Sequence, residues 1–268
     1  MIWAIVTLAI CGFLASFGLG LASKKFSVTI DPRIEKIEEL LPGANCGACG
    51  YPGCSGFAAA LVKGEADISR CVALSSEAVE KIAEILGKKV EIKEKLKAYV
   101  ACKGSTSLSS RKYNYNGISD CFSANLLFGG DKSCSYGCLG YGTCEKVCPF
   151  SAITMTSSNL PKIDWSLCVG CGKCVEACPK GIIKLVPQSA KVLVLCNSHE
   201  KGAKVKSVCK VGCIACRKCE KVCPENAIKV KDFLAEIDYK KCTGCGTVSY
   251  THLRAHETSL HLVCRLLL

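Results

Sequence analysis

The most constraining feature of the sequence is a C-x3-C-P run that occurs three times and is followed each time by apolar residues. The copies are CEKVCPFSAI from Cys144, CVEACPKGII from Cys174 and CEKVCPENAI from Cys219. Runs of this kind hold cubane iron–sulfur clusters, and the apolar residues after the proline suit a short strand. Three copies in one chain predict a protein built from repeated units that fold around several clusters.

The number of cysteines supports metal coordination. The chain has 268 residues, of which 24 are cysteine. Such a density is typical either of disulfide scaffolds in small secreted proteins or of metal sites. Most of the cysteines fall in C-x2-C and C-x3-C-P runs, whereas disulfide frameworks scatter them. Structural zinc also uses C-x2-C pairs, but a zinc site does not require a longer four-cysteine run that is repeated along the chain. We therefore expect [4Fe–4S] clusters and a reducing compartment, in which thiolates stay available to iron.

The formal net charge of +12 does not indicate a nucleic-acid partner. It counts every cysteine as neutral, whereas a cubane held by four thiolates carries about −2. Several clusters would cancel about half or more of the positive charge. The lysines also lack the interleaved aromatic residues that single-strand binding uses. We therefore expect no nucleic-acid partner. We expect the lysines to lie near the clusters or to bind an acidic partner protein.

Residues 1–25 predict a transmembrane anchor. The stretch from Ile2 to Ala22 is uncharged and is followed by Lys24 and Lys25. At helical rise it is long enough to cross a hydrocarbon core of roughly 30 Å. A cleaved signal peptide is the alternative, but no Lys or Arg precedes the apolar run. The charge after the helix predicts a single pass, with the Fe–S domains in the cytoplasm.

Residues 26–90 predict a small, mostly helical iron–sulfur domain. Asp31 and Pro32 suit the start of a first helix, and Ser75 or Ser76 and then Gly87 suit the two ends of a last one. Between them, glycines let the backbone wrap closely around a bulky cofactor. The four cysteines of this segment stand at C-x2-C-x4-C-x16-C and are Cys46, Cys49, Cys54 and Cys71.

After a connecting region at 91–130, residues 131–190 predict a bacterial two-[4Fe–4S] ferredoxin unit. In that pattern the first three cysteines of a run bind one cluster and the fourth binds the other. The rule gives one site with Cys134, Cys138, Cys144 and Cys178, and a second with Cys148, Cys168, Cys171 and Cys174. Together with the preceding domain, this makes three complete sites. The first run has the unusual form C-x3-C-x5-C-x3-C, and its glycines suit a wider loop.

Residues 191–247 predict an incomplete second ferredoxin unit. Its cysteines are Cys213, Cys216, Cys219, Cys223, Cys242 and Cys245. The last pair opens a ligand run, but Val248 stands where the third cysteine would follow. Up to two further sites are therefore incomplete. The remaining cysteines outside the membrane segment, Cys102, Cys121, Cys196 and Cys209, have separations without a signature. They could form another cluster site or be ordinary buried thiols.

Residues 248–268 resemble no half of a ferredoxin. We interpret them as a non-native tail, such as readthrough from joined or truncated DNA. The alternative is that His252, His256 and His261 replace missing ligands as in Rieske centres, but their spacing does not resemble such a site.

The combination of these features resembles the B subunit of the Rnf electron-transport complex. The resemblance rests on the membrane helix, on GANCGACGYPGC and on KYNYNGISDCFSANLLFGGDKSCSYGCLGYGTCEKVCPF, and it extends to about Thr247. CKVGCIACRKCEKVCP is similar to the long form, which has tandem ferredoxin units. The resemblance implies an ion-translocating ferredoxin:NAD oxidoreductase in a bacterial or archaeal inner (cell) membrane. This subunit would accept electrons from soluble reduced ferredoxin and relay them to the other Rnf subunits.

We expect an α+β protein with one transmembrane helix, a small helical Fe–S domain and ferredoxin-like units, the second truncated. The sequence has no G-x-G-x-x-G after a strand, no evident flavin site and no nucleophile–base set. We therefore expect no catalytic residue and no NAD site in this chain. Two other functions remain open, namely a membrane-tethered polyferredoxin that donates electrons to another reductase and a structural zinc protein.

Overall fold

A computed structural model describes residues 2–25, 31–88, 94–250 and 264–266. Helices and short antiparallel strand pairs occur in the same chain, which confirms the predicted α+β class. The α-helices are α1 (Ile2–Lys25), α2 (Pro32–Leu40), α3 (Gly53–Lys63), α4 (Ser76–Leu86), α5 (Cys121–Leu126), α6 (Thr143–Lys146), α7 (Lys173–Glu176), α8 (Gly202–Val208) and α9 (Lys218–Val222). The strands are β1 (Leu96–Val100), β2 (Ile153–Met155), β3 (Pro161–Ile163), β4 (Ile183–Pro187), β5 (Val192–Val194), β6 (Ile228–Lys231), β7 (Leu234–Ile237) and β8 (Cys264–Leu266).

Helix α1 is apolar over nearly its whole length. Within the described part of the chain it is the one helix long and apolar enough to cross a membrane, with a candidate span of Ile5–Ser23. Large apolar side chains such as Trp3 and Phe13 are exposed on it, and lipid is the solvent that would accept them. The Ser16 hydroxyl donates to the Gly12 carbonyl oxygen at 2.8 Å, which satisfies its hydrogen bond inside the helix.

Helices α2, α3 and α4 form a small domain with its own apolar core. The Asp31 carboxylate accepts the Arg33 N–H at 2.9 Å at the start of α2. The Ser75 hydroxyl accepts the Ala78 N–H at 3.1 Å at the start of α4, and Gly87 ends that helix with φ +62°. These caps satisfy backbone groups that a helix terminus leaves unpaired. The core consists of Ile37, Leu41, Phe57, Ala58, Ala60, Leu61, Ala66, Ile68, Leu74 and Ile82.

The next segment has the two-fold repeat of a ferredoxin. Each half has a short helix (α6 or α7), a Cys-Pro turn and then a strand (β2 or β4). Strand β2 pairs with β3, while β4 pairs antiparallel with β1, opposing Ala98 to Leu185. Strand β1 thus lies inside the region expected to be a connector, and it contributes Ala98 to the core that also contains Ile153 and Ile183.

The second unit repeats part of this plan. Strands β6 and β7 form a hairpin after α9, and β5 pairs antiparallel with β8. Its core contains Val192, Val194, Ile228, Leu234 and Val248. Of the tail, Val248 lies in a short 3₁₀ turn, Thr247–Tyr250, whereas the three tail histidines lie outside the described residues.

Candidate iron–sulfur sites

Cysteines from distant parts of the chain line four recesses of similar size. Recess A has a volume of about 370 Å³ and is lined by Cys46, Cys49, Cys54 and Cys71. Recess B, about 330 Å³, is lined by Cys148, Cys168, Cys171 and Cys174. Recess C, about 360 Å³, is lined by Cys121, Cys138, Cys144 and Cys178. Recess D, about 370 Å³, is lined by Cys102, Cys134, Cys196 and Cys209. These volumes include the open mouths of the recesses.

Recess A is shaped by the start of α3. The Asn45 side-chain oxygen accepts the Cys54 N–H at 2.7 Å and ties the two ends of the cysteine loop together. Gly53 has φ +85°, and a Cβ there would lie 2.9 Å from the same Asn45 oxygen. Only glycine fits that position without displacing Asn45. Burial raises the pKa of Cys71.

Recess B lies beneath strand β1. The Ala98 N–H donates to Cys168 Sγ at 3.5 Å. The Lys97 ammonium donates to the carbonyl oxygens of Trp165 and Cys168 at 2.7 and 2.6 Å, so β1 holds the loop that carries the ligands. Burial raises the pKa of Cys174 to about 12, with a further contribution from the neighbouring Cys171. All members of the predicted second site line this recess.

Recess C differs from the set that the crossing rule assigns. Cys138, Cys144 and Cys178 line it as predicted, but the fourth cysteine is Cys121, and Cys134 lines recess D instead. A hydrogen-bond network explains the placement of Cys121. Its N–H donates to the Thr143 hydroxyl at 2.8 Å, and that hydroxyl donates to the Asp120 carboxylate at 2.7 Å. The start of α5 is thereby fixed to the start of α6.

The electrostatics of recess C follow from these contacts. The Thr143 hydrogen bond lowers the pKa of Asp120, which keeps the carboxylate ionised as a cap for α5. Burial raises the pKa of Cys144 to about 11, and the neighbouring Cys121 adds to the rise. Without metal the thiol is therefore protonated near neutral pH, and metal binding must displace its proton.

The second unit brings part of its cysteine set together. Cys213 and Cys219 are buried, whereas Cys216 is exposed. Burial raises the pKa of Cys219 to about 11, followed by the effects of Cys213 and Cys216, so these three thiols are neighbours. Val248 is 6% exposed and packs in the same cluster as Cys213 and Cys219.

The other half of that unit is more open. Cys223 and Cys242 are partly buried and Cys245 is exposed. The Ala227 N–H donates to Cys223 Sγ at 3.3 Å. The Thr247 hydroxyl donates to Cys245 Sγ at 3.3 Å and lowers the pKa of that thiol. Within the described residues, no three His, Cys, Asp or Glu side chains are spaced to hold a single metal ion.

The residues of recesses A, B and C fit [4Fe–4S] clusters. Each recess offers four thiol groups, which is the ligand set of a cubane, around a volume larger than one ion needs. The N–H donor at Cys168 Sγ in recess B is of the kind that tunes cluster potentials. Sequence spacing alone missed Cys121, because the hydrogen bonds that fix it join segments more than twenty residues apart.

Fold and sites together define a class of protein, a membrane-associated iron–sulfur protein with ferredoxin-type units. Two family models agree. The model described as "Putative Fe-S cluster" matches residues 41–73, which contain recess A. The model "4Fe-4S binding domain" matches residues 161–184 and 212–229, one segment in each ferredoxin unit.

Three curated relatives match nearly the whole chain. The B subunit of the ion-translocating oxidoreductase complex of Methanosarcina acetivorans is 44% identical over 92% of this chain and 93% of its own length. The B subunit of the Na(+)-translocating ferredoxin:NAD(+) oxidoreductase complex of Acetobacterium woodii is 44% identical over 89% and 72%. The B subunit of the proton-translocating ferredoxin:NAD(+) oxidoreductase complex of Clostridium ljungdahlii is 43% identical over 91% and 87%. The chain belongs to this family of ion-translocating oxidoreductase B subunits, which confirms the resemblance to the Rnf complex.

Proposed function

We propose that this chain is the electron-transfer subunit of an ion-translocating ferredoxin:NAD oxidoreductase complex. It accepts single electrons from reduced soluble ferredoxin and passes them to partner subunits of the Rnf type. Two such electrons and one proton convert one NAD⁺ to NADH on a partner, and the fall in potential drives ion export. The clusters supply the one-electron carriers, and the chain supplies thiolates, hydrogen bonds and burial that position and tune them.

The observation that carries this proposal is that recesses A, B and C are neighbours. Cys144 of recess C packs in one buried cluster with Cys168 and Cys174 of recess B. Cys171 of recess B lies near enough to Cys46 of recess A for a charge on Cys46 to raise the pKa of Cys171. A single-site protein has no need of neighbouring redox centres, whereas a relay depends on them. We assign complete sites to recesses A, B and C and incomplete ones to the second unit.

The membrane helix supports the proposed location. With α1 spanning an inner membrane, the positive charges of Lys24 and Lys25 at its end support a cytoplasmic location for the iron–sulfur domains, on the side where soluble ferredoxin is found. An acidic ferredoxin can dock on exposed lysines such as Lys204 and Lys206 of α8.

Anaerobic electron transfer to the full chain tests the proposal. The chain is reconstituted with iron and sulfide in detergent and mixed with chemically reduced ferredoxin. We expect its visible absorption to bleach, and we expect Cys171→Ala to remove part of the bleaching while Cys11→Ala, in the membrane helix, does not. A chain that dithionite bleaches but reduced ferredoxin does not would contradict the proposed donor.

Co-purification separates the two membrane-bound alternatives. A subunit of the complex should purify with integral-membrane and flavin-containing subunits after mild solubilisation. A free-standing polyferredoxin that serves another reductase should purify without them, and that result would favour the alternative.

A further inference from the structure

We propose that Cys102, Cys134, Cys196 and Cys209 hold a further [4Fe–4S] cluster between the two ferredoxin units, with the buried Lys132 as its counter-charge. This inference rests on the proposed electron relay and extends it, because the further cluster would lie between recess C and the second unit. Recess D has about the same volume as recess A, and all four cysteines line it.

The two ferredoxin units contribute equivalent pairs to recess D. Cys102 stands two residues after β1, and Cys196 stands two residues after β5. The other pair comes from a repeated C-x2-G-C segment, CSYGC from Cys134 and CKVGC from Cys209. The fold therefore brings four sequence-distant thiols together through an internal two-fold relation. Their separations along the chain carry no signature because each unit supplies only half of the site.

Backbone hydrogen bonds repeat the same relation. The Cys138 N–H donates to Cys102 Sγ at 3.4 Å, and the Cys213 N–H donates to Cys196 Sγ at 3.2 Å. Cys138 lines recess C and Cys213 begins the ligand run of the second unit. Recess D is thus joined to a redox site on each side by one N–H···S contact. Such contacts stabilise thiolates and raise cluster potentials.

Two glycines, Gly104 and Gly212, lie close to the cysteine sulfur atoms and leave recess D free of side chains at these points. A Cβ at Gly104 would lie 3.4 Å from Cys209 Sγ and 3.8 Å from Cys102 Sγ, against both sulfur atoms. A Cβ at Gly212 would lie 3.7 Å from Cys209 Sγ and would overlap Val205. The walls therefore pass close to the sulfur atoms without a side chain to fill the space that a cluster requires.

The charge of Lys132 points to an anionic occupant. Its side chain is 2% exposed, and its ammonium donates to the carbonyl oxygen of Gly104, which lines recess D. In the part of the chain that the structure describes, no carboxylate lies within salt-bridge distance of it.

A buried ammonium without an anion is costly, and so are clustered thiolates without a metal, of which Cys196 and Cys209 are buried and Cys102 and Cys134 are partly buried. A four-thiolate cubane with a net charge of about −2 removes both costs at once. If the four cysteines were protonated thiols without a metal, they would carry no negative charge to balance the charge of Lys132. The arrangement therefore favours a cluster over four inert thiols.

Iron counting on paired variants of the full chain tests the site. We expect Cys102→Ala/Cys134→Ala and Cys196→Ala/Cys209→Ala each to lose about four irons and the same electron paramagnetic resonance component after dithionite reduction. The quadruple variant should lose no more than either pair, since both pairs serve one cluster. Cys11→Ala is the control and should keep all the iron. Losses that add up to about eight irons, unchanged iron, or zinc in place of iron would overturn the proposal.

A milder change tests the role of Lys132 without removing a ligand. We expect Lys132→Met to lower the reduced-to-oxidised ratio of one cluster about tenfold at a fixed potential, a shift of about 59 mV for one electron. Lys132→Arg should restore most of the ratio, and Lys112→Met, at an exposed lysine in the same segment, should leave all ratios unchanged. Potentials unaffected by Lys132→Met would refute the counter-charge. Dithionite is the reductant in both experiments, so a failure of ferredoxin to donate leaves their outcomes unaffected.

Discussion

At the scale of single residues, Cys121 lines recess C where the crossing rule expects Cys134, and the spacing of the cysteines does not predict this placement. The regular run from Cys168 and the set that begins at Cys46 each line one recess, as their cysteine motifs predict. Cys121 stands outside any recognisable cysteine motif, and the contacts of Cys121 and Asp120 with Thr143 bring it to recess C. Hydrogen bonds of this kind leave no periodic trace in a sequence.

Double variants distinguish the two ligand sets. If Cys121 and Cys144 share a cluster, Cys121→Ala/Cys144→Ala should lose about four irons, the same as Cys144→Ala alone. If Cys134 serves a different cluster, Cys134→Ala/Cys144→Ala should lose about eight irons. Iron and sulfide analysis of anaerobically prepared protein measures both. The reverse pattern would restore the set that the crossing rule assigns.

At the scale of secondary structure elements, helix ends were easier to predict than strands. The caps at Asp31 and Ser75 and the end at Gly87 lie where local sequence indicates, because a cap depends only on neighbouring residues. Strand β1 gave no comparable signal. It is defined by its pairing with β4, more than eighty residues away, and such a long-range contact is not encoded in the five residues of β1.

The ligand loop that precedes α7 allows a matched glycine test. Gly170 and Gly172 have φ +72° and +81°, so alanine at either costs about 1–2 kcal/mol of conformational strain. A Cβ at Gly170 would also overlap the Leu96 carbonyl oxygen of β1, whereas one at Gly172 meets nothing within 4 Å. We expect Gly170→Ala to release iron to a chelator much faster than Gly172→Ala. Equal release rates would show that β1 does not press on the ligand loop.

At the scale of the whole molecule, the number of complete sites sets the length of the relay. The second unit brings Cys213 and Cys219 together, and Val248 lies buried beside them. Valine and cysteine are similar in volume, so the exchange requires little repacking. In the crossing rule, a cysteine at 248 would join Cys223, Cys242 and Cys245 in one complete set.

Val248→Cys should therefore add about four irons per chain and a new cluster signal in electron paramagnetic resonance. Val230→Cys is the control, because Val230 packs against the same core and lies outside the ligand run. It should add no iron. If Val248→Cys leaves the iron content unchanged, the fold around Cys242 and Cys245 does not support a cluster even when its cysteines are complete.

The internal two-fold relation of recess D has a consequence for the evolution of tandem forms. Two duplicated modules usually remain separable, and either can be lost or transplanted. Here each unit contributes two of the four thiols that line recess D. The Cys138 N–H donates to Cys102 Sγ on one side, and the Cys213 N–H donates to Cys196 Sγ on the other. A cut in the chain near Ala190 would leave each fragment with two of the four thiols of recess D, so neither fragment could complete that site alone.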